Sequence, residues 1–138
     1  MMSTLVDANV LIDVLQPGSP WFEWSREQLA GRRVHGATVI NQIIVAEVAA
    51  GYRDLTIARA ALSAPIWKHE ELPWAAAFIA GAVHREYRRR GGDRERTLPD
   101  FLIGAHAAVS GHILLTRDAR RYRTYFPDIE IIAPDIEE

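Results

Sequence analysis

The sequence predicts an α/β fold in which a parallel sheet carries helices on both faces. Three observations point there. Short aliphatic or β-branched runs (Thr4-Leu5-Val6, residues 34–40, Ile113-Leu114-Leu115-Thr116) alternate with helical stretches, the pattern of strand–helix–strand units. Two of these runs are followed by an acid, Asp7 directly and Asp118 two residues on. The chain has 138 residues, 49% of them hydrophobic, which suits one well-filled core and a single domain over residues 1–138.

The first strand ends in Asp7, and a turn through Ala8-Asn9 opens a short helix over residues 9–15, stopped by Pro17-Gly18. Ser19-Pro20 supplies a cap and a first-turn proline. The helix that follows runs through Trp21 and Trp24 to Gly31, read as its left-handed cap. Residues 34–40 hold four β-branched side chains and predict the second strand. Asn41 caps a helix over 42–50 that Gly51 ends, a further helix covers 54–63, and 65–69 is a weak strand. Pro73 starts a long Ala-rich helix with Trp74, Phe78, Gly81 and Ala82 on one stripe. It closes in Arg88-Arg89-Arg90, and residues 91–98 read as loop. Pro99 opens a helix to Val109 that Gly111 ends. The strand at 113–116 then delivers Asp118, residues 129–132 form a last strand, and 134–138 are a frayed acidic tail.

Composition narrows the chemistry. The chain has no cysteine, which removes disulfides, thiolate metal sites and cysteine nucleophiles and suits a reducing cytoplasm. With no signal-like leader and no 18-residue apolar run, a soluble intracellular protein without a membrane partner is expected. The net charge is −2, but 15 of the 16 basic residues are Arg. Residues 85–96 hold six Arg against three acids, and 117–123 hold four against one. Arg forks match phosphate bidentately, so Arg88, Arg89, Arg90 and Arg117 are candidate nucleic-acid contacts around an acidic centre. A solvated helix end explains Arg88-Arg89-Arg90 equally well.

Four acids stand in apolar settings. Asp7 and Asn9, two apart, fit turn chemistry but also a ligand site at a strand end. Glu47 is the only charged residue from Val39 to Gly51. A helix apolar on all sides is expected to be buried, where a carboxylate needs protonation or a cation. Asp100 lies in the first turn of its helix, with Thr97 placed for a capping-box-like pair. Gly104 and Ala107 share its face and let that helix approach the sheet. Asp118 follows a buried strand whose end carries the Thr116 hydroxyl. Gathered at one sheet edge, such carboxylates repel, and an all-oxygen cluster without His or Cys suits Mg²⁺ or Mn²⁺ over zinc. That is the chemistry of phosphodiester hydrolysis.

The four segments L-V-D-A-N-V-L-I-D, I-V-A-E-V-A-A-G, L-P-D-F-L-I-G-A-H-A and L-L-T-R-D, in this order and spacing, resemble a PIN-domain ribonuclease over nearly the whole chain. The size resembles VapC toxins of bacterial toxin–antitoxin pairs. The resemblance implies a PIN-like three-layer α/β/α fold with a central parallel sheet of four to five strands. It also implies a Mg²⁺/Mn²⁺-dependent endoribonuclease with Asp7, Glu47, Asp100 and Asp118 as an acidic quartet serving catalysis and the metal. Asn9 and Thr116 would be the polar partners of the first and fourth motifs. Homodimerisation, an RNA substrate and inhibition by a VapB-type antitoxin follow from the same resemblance. Ala8 stands where the family often has Thr.

Other features admit other readings. Trp21 and Trp24, one turn apart, fit a core pair or an anchor for a partner. His84 and His106 lack ligand-spaced partners and read as structural or surface residues, and Asp13 as a solvent-facing or supporting residue. A DNA-directed nuclease would use the same metal chemistry. A receiver-like, non-catalytic Mg²⁺-binding signalling module wants a lysine after a late strand, and the only lysine, Lys68, sits mid-chain.

Overall fold

In the computed structural model, which describes residues 2–63, 65–92 and 97–134, five strands form one parallel sheet. They are β1 (Thr4–Val6), β2 (Thr38–Ile40), β3 (Trp67–His69), β4 (Ile113–Leu115) and β5 (Ile131–Ile132), in the order β3-β2-β1-β4-β5. The connecting helices are α1 (Ala8–Leu15), α2 (Phe22–His35), α3 (Gln42–Ala49), α4 (Leu55–Leu62), α5 (Trp74–Arg89), α6 (Thr97–Ser110) and α7 (Arg120–Tyr125). This is the three-layer α/β/α arrangement expected of the sequence. β1, β2 and β4 are buried throughout, so they carry continuous apolar runs rather than alternation.

Several boundaries differ from expectation. Gly31 does not end α2, which continues through Val34 to His35; Val34 is 76% exposed. The β-branched count overrode helix continuity there. The true stop is Gly36, where a Cβ would strike the Met2 carbonyl; the chain must pass that close because Thr4 N–H bonds Ala37 O at 2.9 Å as the sheet begins. α3 is apolar in sequence, yet it buries chiefly Ile44 and Val48, and Glu47 lies on an exposed face. α5 packs against α6 through the small residues Ala76 and Ala80. Its aromatic stripe points outward, with Trp74 86% and Phe78 77% exposed. The expected loop over 91–98 is already helical at Thr97 and Leu98, while 93–96, like the tail at 135–138, lies outside the described residues. Gly104 is small for Phe126, whose ring a Cβ would meet at 2.6 Å. Among the described residues no helix is long and apolar enough to cross a membrane.

Candidate active site

Strand order reverses around β1 and β4, with β2 and β3 on one side and β5 on the other. The crevice beyond the carboxyl ends of strands at such a point is where parallel sheets bind ligands. Four acids from four elements reach it. Asp7 leaves β1 and caps α1, Glu47 rides on α3, Asp100 sits in the first turn of α6, and Asp118 follows β4. Together with Asn9, Arg121 and Tyr122 they line one cavity of about 240 Å³.

Asp7 is the fixed point. It is buried, 5% exposed, and three donors hold it. Ala8 N–H donates to Oδ1 at 2.8 Å, while the Thr116 and Tyr122 hydroxyls donate to Oδ2 at 2.8 and 3.1 Å. Thr116 is a relay. Its oxygen accepts from Asp118 N–H at 3.1 Å and Asn9 Nδ2 at 3.3 Å, and its one proton goes to Asp7 at 2.8 Å in preference to the Asp118 carbonyl at 3.4 Å. Asn9 Oδ1 in turn accepts from Arg117 N–H at 3.1 Å. The turn carrying Asp118 is thereby tied to the first strand end.

The electrostatics follow from crowding. Burial, and to a lesser degree the Asp100 charge, pushes the Asp7 carboxyl up to about 6 against the opposing Thr116 hydrogen bond. Glu47 is solvent-exposed as a residue, yet the pocket wall desolvates its carboxyl. With Asp7 and Asp100 adding repulsion, it rises to about 7. Burial also raises Asp100, although Arg121 opposes it with a hydrogen bond from Nη1 to Oδ2 at 2.7 Å. Burial beside these carboxylates holds the Tyr122 phenol well above its ordinary range, so it remains a donor.

A stability profile checks this. Asp7 has an ordinary value of 3.8, so the folded chain binds more protons than the unfolded one between about pH 4 and 6, and Glu47 extends the window to about 7. Metal-free protein is expected to lose stability as pH rises through that window, by about 3 kcal/mol at most for Asp7. Thermal melts from pH 4 to pH 8 read it; a flat profile would mean the acids ionise unopposed.

Arg121 and Tyr122 were not among the candidates from sequence, although they follow Asp118 by three and four residues, the spacing that returns to one helix face. Of the basic candidates, Arg89 and Arg90 both pair with Glu86 at 2.9 Å, and Arg90 also lies over Tyr125. Arg88 lines a separate surface hollow with Arg85 and His84. Arg117 is held by a buried acid. Its Nε donates to Asp13 Oδ2 at 2.6 Å and its guanidinium lies over Trp21. Asp13 is not solvent-facing: it is 1% exposed and also accepts from Ser19 and Ser25 hydroxyls. The Thr97 hydroxyl meets His84 Nδ1 at 3.1 Å instead of forming a box with Asp100. Trp24 packs on the core, edge-on to Trp21.

A second cluster gathers Glu70, His106 and His112, with ligand-type atoms within 4.8 Å of one another. Its hydrogen bonds decide its character. Asn41 Oδ1 caps α3 by accepting from Ile44 N–H, so the Asn41 amide N–H faces His106 Nδ1, at 2.9 Å. His106 Nδ1 therefore accepts, its proton sits on Nε2, and it donates to Glu70 Oε1 at 2.8 Å. A protonated nitrogen is no metal ligand. His112 Nε2 meets the same oxygen at 2.5 Å. Burial lowers His106 despite Glu70, and the two histidine contacts outweigh burial to lower Glu70. The cluster is a hydrogen-bond hub joining the end of β3 to α6 and the entry to β4.

The model of a family described as the PIN domain matches residues 4–127. No curated protein matches the sequence. Among solved structures, VapBC2 from Rickettsia felis bound to a promoter DNA fragment is 17% identical with a TM-score of 0.72, covering 97% of this chain and 100% of that one. A toxin–antitoxin complex from Klebsiella pneumoniae is 25% identical with a TM-score of 0.67, covering 98% and 99%. Mycobacterium tuberculosis VapC20, a sarcin-ricin loop cleaving toxin, is 14% identical with a TM-score of 0.60, covering 80% and 86%.

Proposed function

The chain belongs to the PIN domain family, and from that premise we propose that it is a divalent-metal-dependent endoribonuclease, the toxin of a VapBC-type toxin–antitoxin pair. The observation that carries this reading is the convergence of Asp7, Glu47, Asp100 and Asp118 on one cavity. Two of them are pushed up to about 6 and 7 by burial and mutual repulsion, a load that a hard cation relieves. The donor set fits such an ion. It is all oxygen, and Asp7 keeps acceptor capacity beyond the single backbone donor on Oδ1.

Asp7, Asp100, Glu47 and Asp118 would hold Mg²⁺ or Mn²⁺. Bound there, such an ion supplies a water nucleophile near neutral pH and positive charge for the phosphoryl oxygens. The chain's own residues do the rest. Ala8, Thr116 and Tyr122 fix the Asp7 rotamer so that little reorganisation accompanies the reaction. Asn9 and Thr116 position the Asp118 turn. Glu47, at the exposed rim of the cavity, would complete the ligand set from the solvent side. Arg88, with Arg89 and Arg90, remains a proposed RNA contact, as does Arg117, whose Nε is held by Asp13 while its side chain stays 28% exposed.

The wider reading is a single nuclease domain over residues 1–138, acting on RNA in the cytoplasm as a homodimer and restrained by a VapB-type antitoxin. The likeness to whole toxin–antitoxin assemblies supports the partner. Cleavage of single-stranded RNA by the purified chain is expected with Mg²⁺ or Mn²⁺ and is expected to vanish with a chelator, returning when metal is restored. Cleavage indifferent to the chelator, or cleavage of DNA alone, would overturn the ribonuclease reading.

A further inference from the structure

We propose that Arg121 is a phosphate-binding residue of this site, held in reserve by Asp100 until a cation claims that carboxylate. The inference rests on the nuclease reading above and adds a residue to it. Arg121 is the only basic side chain lining the acidic cavity among the described residues. Its Nη1 donates to Asp100 Oδ2 at 2.7 Å, with the two side chains 37% and 31% exposed. Its guanidinium lies over the Tyr87 ring, 5.7 Å from the centroid, a flat support on which a planar fork can slide and turn. The next residue, Tyr122, is 2% exposed and anchored to Asp7. The backbone at 121 is therefore fixed, and only the side chain is free to swing.

The other pairings sharpen the assignment. Arg117 is committed to buried Asp13, and Arg89 and Arg90 to Glu86, none of which lines the cavity. Of these four arginines, Arg121 is the one whose partner has a competing use. Its hold on Asp100 Oδ2 competes with a divalent cation for that carboxylate, because like charges repel at such range. Released on its Tyr87 support, the fork stays within the site, where the group it matches is the bidentate edge of a phosphodiester. In the cation-free protein the same side chain neutralises Asp100, which lowers the repulsion among the acids.

The two roles move two measurements in opposite directions. Arg121→Gln removes a competitor for Asp100, so Mn²⁺ should bind about tenfold tighter by calorimetry without RNA. The same change removes the phosphate fork, so cleavage at saturating Mn²⁺ should fall about a hundredfold, chiefly in kcat. Arg121→Lys keeps a point charge without the fork and should leave Mn²⁺ affinity near that of the parent while recovering only part of the rate. Unchanged or weaker Mn²⁺ binding by Arg121→Gln, or full activity at saturating metal, overturns the proposal. Should Arg121→Gln melt far below the parent, Arg121→Lys decides alone: parental kcat overturns the requirement for a fork, and reduced kcat with parental Mn²⁺ affinity supports it. Failure of the nuclease reading looks different: the unmodified chain would bind no Mn²⁺ at the acids and cleave no RNA.

Discussion

Asp7→Asn is expected to lower RNA cleavage by about 10³-fold, roughly 4 kcal/mol of transition-state stabilisation, with the fold retained. Asn has the shape of Asp but half its acceptors and no charge. In the native site every hydrogen bond to this side chain is donated to it, by Ala8 N–H on Oδ1 and by the Thr116 and Tyr122 hydroxyls on Oδ2. An amide placed there must turn its NH₂ toward Ala8 or toward the two hydroxyls. The hydroxyls can rotate; the Ala8 N–H cannot, so the amide oxygen should keep the α1 cap and the NH₂ should face Thr116 and Tyr122. The Thr116 relay then loses the nearer acceptor for its one proton and keeps only the Asp118 carbonyl at 3.4 Å, which disturbs the Asp118 turn as well as removing a charge. Steady-state cleavage assays at saturating Mn²⁺ measure the loss, and circular dichroism checks the fold. Cleavage within tenfold of the parent would place the chemistry elsewhere.

Asp13→Ala should be the most damaging substitution for stability outside the apolar core, costing about 3 kcal/mol. Asp13 is 1% exposed and takes three charge-assisted or hydroxyl donors, from Ser19 at 2.7 Å, Ser25 at 2.6 Å and Arg117 at 2.6 Å. Alanine would leave the fully buried Ser25 hydroxyl without its acceptor and strip Arg117 of its counter-charge, and unpartnered buried polar groups carry the full desolvation cost. Arg117 retains 28% exposure, which keeps the expectation at the lower end for broken buried pairs. Because Arg117 precedes Asp118 and its N–H is held by Asn9, some loss of activity should accompany the loss of stability. Urea denaturation gives the first number; a change below about 1 kcal/mol would mean the Asp13 contacts add little to stability.

The legible parts of this protein were those written in local sequence. The β1–Asp7–α1 transition, the Asn41 cap and Gly111 in the left-handed region at the end of α6 appear where turn and cap chemistry placed them. The parallel sheet was legible because buried strands are continuous apolar runs separated by helices. Asp7, Glu47 and Asp100 could be selected against apolar neighbours and Asp118 by the buried strand before it; the cavity that collects them lies beyond the ends of β1 and β4, where α3 and α6 bring Glu47 and Asp100. Gly31 and residues 34–40 misled for one reason: glycine and β-branched residues weaken a helix by about a kcal/mol or less each, and the helix-to-strand boundary was set instead by contact with Met2 and by pairing with β1.

By itself, then, the sequence determined the class of fold and singled out four carboxylates that the structure gathers at one cavity, since both depend on periodicity and on charge set against its surroundings. Only the tertiary structure decided which partners those groups take. Arg121 on Asp100, Arg117 on Asp13, Tyr122 on Asp7 and the His106 tautomer all depend on side chains from distant segments meeting within 3.1 Å. Short-range geometry of that kind is set by packing, which orders the rotamers of residues 21 to 115 positions apart, and local sequence carries no record of it.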